Sequence, residues 1–157
     1  MADIVHRSSR TVKQDPEVVH ERLLELGKRL KRELPAIPAG SQAATLLGTS
    51  GSLGLEIDDK GADRIELRTT KGRIRGEGSV DIEAAGRGKT TVSMVATVKP
   101  HGFGAGVMMS AALASRPSIQ KDIVKGLERG FDDLAKELAK PDHEWDAASW
   151  TPPGLPD

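Results

Sequence analysis

The spacing of the apolar residues changes twice along the chain. Between residues 15 and 35 they recur at intervals of three and four, which is typical of an amphipathic helix. Between residues 42 and 100 they alternate with polar or small residues, as in strands that bury one face. From residue 118 to residue 140 the helical spacing returns. After a short, mostly polar strand over residues 4–12, the pattern therefore predicts helix, sheet and helix.

The first helix has clear boundaries in the sequence. Asp15 is predicted as the N-cap and Pro16 as the first helical residue, because both types are favoured at these positions. Pro35 ends the helix, since proline cannot continue it. Gly27 lowers the helix propensity at the middle, so the segment is predicted to form one or two short helices that cover a side of the sheet.

The middle zone predicts an antiparallel meander of five clear strands. Within residues 74–82 and 92–98, apolar side chains share one parity, while the other parity is mostly polar or charged. Turn signals lie between the runs at residues 58–61, 71–72 and 86–88. Short turns and one polar face indicate a sheet that is covered on one side only.

The last zone predicts a long helix over residues 118–140. At 1.5 Å per residue it would be roughly 35 Å long, enough to cross a small sheet. Residues 104–114 can begin this helix earlier, with Pro117 as a kink. The tail that follows, residues 142–157, is rich in proline and contains two tryptophans. We expect at least one tryptophan to pack on the domain or plug a cavity entrance, the alternative being a disordered tail.

Composition narrows the functional classes. The chain has 157 residues, which suits a single domain. Its formal net charge of zero argues against a protein whose main function is to bind polyanions. Cysteine is absent, which excludes thiol catalysis, disulfides and thiolate metal sites. The amino terminus lacks an apolar core, and the longest apolar-leaning run is too short for a membrane helix, so we expect a cytoplasmic protein without a membrane span.

Several loose motifs follow this order of elements: residues 10–19, 76–83, 88–94, 98–102 and the helix 119–138 with its Leu-Ala-x-x-Leu end. In these motifs the chain resembles the START-like superfamily, also called SRPBCC, which includes polyketide cyclases and lipid-transfer domains. The resemblance implies an α+β helix-grip fold, a curved antiparallel β-sheet wrapped around a long C-terminal α-helix. It covers residues 4–140, which assigns residues 1–141 to the START-like domain and 142–157 to a tail. The chain departs from the family in having few aromatic residues and five meander strands where six are usual.

Glycine supports a cavity independently of the resemblance. Gly76 and Gly78 take the inward parity of their strand, and Gly126 and Gly130 fall on the apolar side of the C-terminal helix. Four glycines on facing surfaces remove volume that a close-packed core would fill. They either permit strand curvature and close helix–sheet approach or leave a void for an apolar ligand, and both can hold together.

We therefore predict an apolar or amphipathic ligand, lipid- or polyketide-like, between the sheet and the C-terminal helix, with no cofactor and no metal. The candidate ligand-binding residues are Ile65, Leu67, Ile74, Gly76, Gly78, Val80, Val92, Met94, Ala96, Met108, Ile123, Gly126, Leu127, Gly130 and Phe131.

Two other functions remain open from the sequence. The first is a polyketide cyclase or dehydratase-like enzyme that uses the same cavity, with His101, Arg68 or Glu66 as weak candidates for its polar groups. The second is a protein-interaction module without a ligand. Nucleic acid is not expected, because the basic run over residues 64–75 has no aromatic residue near it for base stacking and is better explained as a solvated outer face. A third interpretation of that run, between nucleic-acid binding and a solvated outer face, is a basic cavity entrance that selects a ligand with an anionic head group.

Overall fold

Five strands form one antiparallel sheet in the computed structural model, which describes residues 3–34 and 36–150. The elements in chain order are β1 (Ile4–Val12), α1 (Pro16–Glu33), α2 (Gln42–Leu47), β2 (Leu55–Asp59), β3 (Arg64–Thr69), β4 (Ile74–Gly86), β5 (Lys89–Pro100), α3 (Ala105–Ala114) and α4 (Pro117–Leu138). Two short 3-10 helices follow, Asp142–Glu144 and Ala147–Ser149.

The strand order in the sheet is β1-β5-β4-β3-β2, and the sheet is curved and unclosed. Strands β2 to β5 form the meander, and β1 pairs with the free edge of β5. The meander thus has four strands rather than the predicted five, because β1 supplies the fifth strand of the sheet. The α+β helix-grip architecture predicted from the sequence is confirmed.

Helix α1 begins at Pro16, with Asp15 as its N-cap residue, and runs unbroken through Gly27. A Cβ atom at Gly27 would lie only 3.0 Å from Cδ1 of Ile57 in β2. Gly27 therefore allows close approach of the helix and the sheet and does not split the helix, so that of the two alternatives predicted for residues 16–33, the single helix forms.

The C-terminal helical region consists of two helices. α3 ends at Ala114, and Pro117 is the first residue of α4, where its missing N–H costs nothing. Among the described residues, no helix is both long and apolar enough to cross a bilayer.

The main hydrophobic core lies at one end of the sheet. It joins α1, the C-terminal half of α4 and the neighbouring parts of β1, β3, β4 and β5. α4 runs along β1, where the guanidinium of Arg10 donates to Asp132 Oδ1 at 2.7 Å and lies 5.7 Å from the ring centroid of Phe131. The opposite end of the sheet is covered by α3 and the short helix α2.

Residues 142–150 pack back on α1. Trp150 is only 7% exposed and belongs to the main core, and the Nε1 atom of Trp145 donates to Glu25 Oε2 at 3.4 Å. The guanidinium of Arg22 lies 4.7 Å from the centroid of the Trp145 ring. The prediction that at least one tryptophan packs on the domain is confirmed. The prolines further along the tail lie outside the described residues.

Candidate functional site

The strand register brings the predicted binding residues of the sheet onto one face, which we call the inward face. Ile65, Val80 and Met94 stand in one row across β3, β4 and β5. The nine candidates on this face are Ile65, Leu67, Ile74, Gly76, Gly78, Val80, Val92, Met94 and Ala96. The sheet therefore presents an apolar surface toward the helices.

Of the two strand glycines, only Gly76 borders open space. A Cβ atom at Gly76 would meet no heavy atom within 4 Å, and its φ is compatible with any residue. At Gly78 the same atom would touch Leu67 Cδ1 at 3.4 Å, an ordinary van der Waals contact. Gly78 therefore belongs to a packed row, whereas Gly76 leaves volume unfilled above β4.

The candidates on the C-terminal helix are distributed unevenly. Phe131 is buried in the core, and Ile123, Leu127 and Gly130 are half-buried. Gly126 is exposed, and a Cβ there would meet nothing within 4 Å, so this glycine faces solvent instead of lining a cavity. The reason is that α4 follows the edge strand β1 instead of crossing the middle of the sheet.

Met108 is also misplaced by the sequence prediction. Its side chain is 73% exposed, because α3 turns Ser110, Ala111 and Ala114 inward and leaves Met108 on its outer side. It does not line the inward face.

Three polar side chains on the inward face were missed by the sequence analysis. In β1, His6, Ser8 and Arg10 stand opposite Ala96, Met94 and Val92 of β5, respectively. Ser8 Oγ lies 2.9 Å from His6 Nε2, and Glu128 Oε1 of α4 lies 3.9 Å from the same nitrogen. Ile4 and Val12, the buried residues at the two ends of β1, have the same parity as these three residues. This shared parity would have predicted that all three face inward.

The weak catalytic candidates lie elsewhere. Arg68 and Glu66 are on the opposite, outer face, where Arg68 Nε donates to Glu56 Oε2 at 2.8 Å and Glu66 Oε1 accepts from Arg64 Nε at 3.1 Å. The hydrogen bond to Glu56 raises the pKa of Arg68. Because they occupy the other side of the sheet, these two residues cannot supply polar groups to the inward face.

His101 stands at the end of β5. It is exposed, and its backbone N–H donates to the carbonyl oxygen of Arg73 at 2.8 Å. Among the described residues, no group of three histidine, aspartate or glutamate side chains is arranged to hold a metal ion.

Neither of two grooves on the described surface is lined by α4. One, of about 560 Å³, is lined mainly by charged and polar side chains of the outer face, including Glu56, Arg68 and Glu77. The other, of about 570 Å³, lies between α1 and residues 145–148. The cavity between the sheet and the C-terminal helix therefore stays a prediction.

We call part of the inward face the inward cleft. It comprises Gly76 of β4 and the half-buried apolar residues Met94 and Val98 of β5, together with Ile123 and Leu127 of α4, the helix that packs along β1 and contacts β5. Leu127 lies one turn before the buried Phe131, and Glu128 next to it reaches His6. The cleft is thus apolar, with a small polar group at the β1 side.

The chain matches no protein-family model and no curated protein by sequence. Its fold, by contrast, is similar to solved structures. TTHA0849 from Thermus thermophilus aligns over 86% of this chain and 97% of its own, at 19% identity and a TM-score of 0.52. Ara h 8.0201 aligns over 87% of this chain and 98% of its own, at 12% identity and a TM-score of 0.53.

A third similar structure is the di-domain ARO/CYC protein BexL from the BE-7585A biosynthetic pathway. It aligns over 88% of this chain at 16% identity and a TM-score of 0.51, and the chain spans 50% of the length of BexL. Together with the strand order and the C-terminal helix, these similarities show a helix-grip fold of the START-like type.

Proposed function

We propose that the chain binds an apolar or amphipathic small molecule, lipid- or polyketide-like, in the inward cleft. The observation that carries the proposal is the open space beside Gly76, on the sheet face whose positions in β3, β4 and β5 are apolar. A close-packed interior would fill such space with a side chain. An apolar ligand that takes this place gains about 25 cal/mol for each Å² of apolar surface removed from water.

The chemistry of the cleft suits a ligand with one polar end. Its apolar part would contact Met94, Val98 and Leu127, which are half-buried and can still lose exposed surface. Its polar end would reach Ser8 and His6, which are hydrogen-bonded to each other at 2.9 Å. A few polar groups in an otherwise apolar site fix the orientation of a ligand.

A cyclase or dehydratase-like enzyme is the second candidate function. It is supported by the fold that the chain shares with the ARO/CYC protein BexL, and by the cluster of His6, Ser8 and Glu128 on the inward face. An imidazole next to a hydroxyl and a carboxylate can move a proton to or from a bound molecule. His6→Ala would then abolish conversion even at ligand concentrations that saturate the variant, whereas a pure carrier converts nothing in either form.

Native mass spectrometry of freshly purified protein tests the binding proposal. We expect a second species whose mass exceeds that of the chain by one small molecule, and this species should disappear after extraction with organic solvent. The extracted protein should then bind an apolar fluorescent dye saturably, with one site. A single unliganded mass, together with no saturable dye binding, would show that the cleft holds no ligand.

A further inference from the structure

Helix α3 buries small side chains and exposes large apolar ones. It buries Ser110, Ala111 and Ala114 and exposes its two largest side chains, Met108 at 73% and Met109 at 66%. In the loop before it, the side chain of Phe103 is fully exposed. Single exposed apolar residues are ordinary, but large apolar side chains gathered on one short segment mark an interaction site. We call Phe103, Met108 and Met109 the α3 surface.

The charged residues that flank α3 in the sequence are basic. Residues 102–115 contain no charged side chain, and residues 84–121 contain no aspartate or glutamate. Of the basic residues in this stretch, Arg87 and Lys89 lie at the far end of β5 from α3, and Lys99 is paired with Glu77 at 3.1 Å. Arg116 follows α3 closely, at its C-terminal end.

A further arginine reaches the helix from the sheet. A Cβ atom at Gly106 of α3 would lie 2.8 Å from Cζ of Arg73, so the missing side chain makes room for this guanidinium against the helix. Within the described part of the chain, neither Arg73 nor Arg116 has a carboxylate within 4.0 Å. The apolar side chains are thus flanked by two cations without a counter-charge.

We propose that the α3 surface docks on an anionic lipid bilayer. Phe103, Met108 and Met109 enter the boundary between head groups and acyl chains, and Arg73 and Arg116 contact the anionic head groups. Peripheral membrane binding adds these two contributions, apolar burial and attraction of basic residues to anionic lipid. The surface has both components within one helix and its neighbouring side chains.

The dimensions of the surface favour a bilayer over a protein partner. A standard protein interface buries about 800 Å² on each partner. An aromatic side chain contributes at most ~250 Å², so Phe103 and two methionines do not reach that area. The outer side of α3 also offers no charged side chain that would fix the orientation of a protein partner. A bilayer requires no such directional contacts.

The proposal is independent of ligand binding in the inward cleft, because the α3 surface points away from the sheet. It is tested by sedimentation of the full chain with vesicles of neutral phosphatidylcholine and with vesicles that also contain phosphatidylglycerol as the anionic lipid. We expect binding to the anionic vesicles that decreases as salt is raised, since salt screens the electrostatic part.

Two variants test the two components of binding. Phe103→Ser should weaken vesicle binding at least about tenfold, because a phenylalanine side chain no longer leaves water. Arg116→Gln should weaken binding about fivefold, which corresponds to about 1 kcal/mol for each basic residue at an anionic surface. Both residues are exposed, so the variants should fold normally, as circular dichroism would verify.

Each variant has a matched control. Val5→Ser removes an apolar side chain that is 51% exposed on the outer face of β1. Lys89→Gln removes a positive charge at the opposite end of β5 from α3. Both controls should bind vesicles like the original chain. Equal binding by Phe103→Ser, or equal binding to neutral and anionic vesicles, would overturn the proposal. So would a dimer or a protein complex that Met108→Ser disrupts in the absence of vesicle binding.

Discussion

Replacing Gly76 by valine tests directly whether the space above β4 is open. Glycine in a strand interior costs about 0.5–1 kcal/mol relative to alanine, and valine is favoured further in strands. Because a Cβ at Gly76 meets nothing within 4 Å, we expect the two methyl groups of valine to fit in this space. We therefore expect the free energy of unfolding to rise by about 0.5–1 kcal/mol and the Tm by about 1–4 °C.

The same substitution should weaken ligand binding. If the valine side chain takes the place of two methylene-sized contacts of the ligand, the loss is about 1.6 kcal/mol, or roughly fifteenfold in Kd. Thermal unfolding followed by circular dichroism and titration with an apolar fluorescent dye measure the two effects on the same samples.

Ser79→Val is the control, because Ser79 has the opposite parity on the same strand and faces outward. It should increase stability through strand propensity without changing the Kd for the dye. A Tm that falls in Gly76→Val would mean that neighbouring side chains already occupy the space. A raised Tm with an unchanged Kd would mean that the dye binds elsewhere.

Three further substitutions test how the chain holds together. Arg22→Ala should lower the free energy of unfolding, measured by urea denaturation, by about 2–4 kcal/mol. The reason is that Arg22 is 4% exposed and that its loss leaves the carbonyl of Leu138 without this donor. An unchanged urea midpoint would contradict the contact. Trp150→Ala should cost about 3 kcal/mol, and emission from Trp150 in the intact chain should be shifted to the blue; a fully solvated emission spectrum would argue against its burial. His20→Ala should raise the pKa of Asp59, which the hydrogen bond from His20 lowers, as followed by carboxyl NMR. The stabilisation by that pair should be present above the ordinary pKa of aspartate and disappear as pH falls through the lowered value.

Elements with local signals were predictable from the sequence. Pro16 begins α1 and Pro117 begins α4, because proline fits the first turn of a helix. The inward parity of β3, β4 and β5 follows from strict alternation, since one residue of slip would turn every apolar side chain outward. For the same reason, the strand candidates for the binding surface lie on one face as predicted.

The position of α4 depends on long-range contacts and could not be predicted from local pattern. Arg10 and Asp132 are 122 positions apart, and their pairing holds α4 against the edge strand β1. This position leaves Gly126 exposed. Likewise, the effect of Gly27 depends on Ile57 in β2, which no helical pattern reveals.

Which side of α3 is buried could not be predicted from the sequence for another reason. Its sequence is apolar on every side, so periodicity cannot say which side is buried. Small side chains at Ala111 and Ala114 allow close approach to the rest of the domain, and this leaves Met108 outside.

Mapping of amide chemical shifts during titration with the amphipathic dye anilinonaphthalene sulfonate tests the central claim most directly, because every shifted amide reports where the dye binds. If the inward cleft is the binding site, the largest shifts fall on Gly76, Ala96 and Leu127, and Gly76→Val reduces them. Shifts confined to residues 103–114 or to the charged groove around Arg68 would contradict the account.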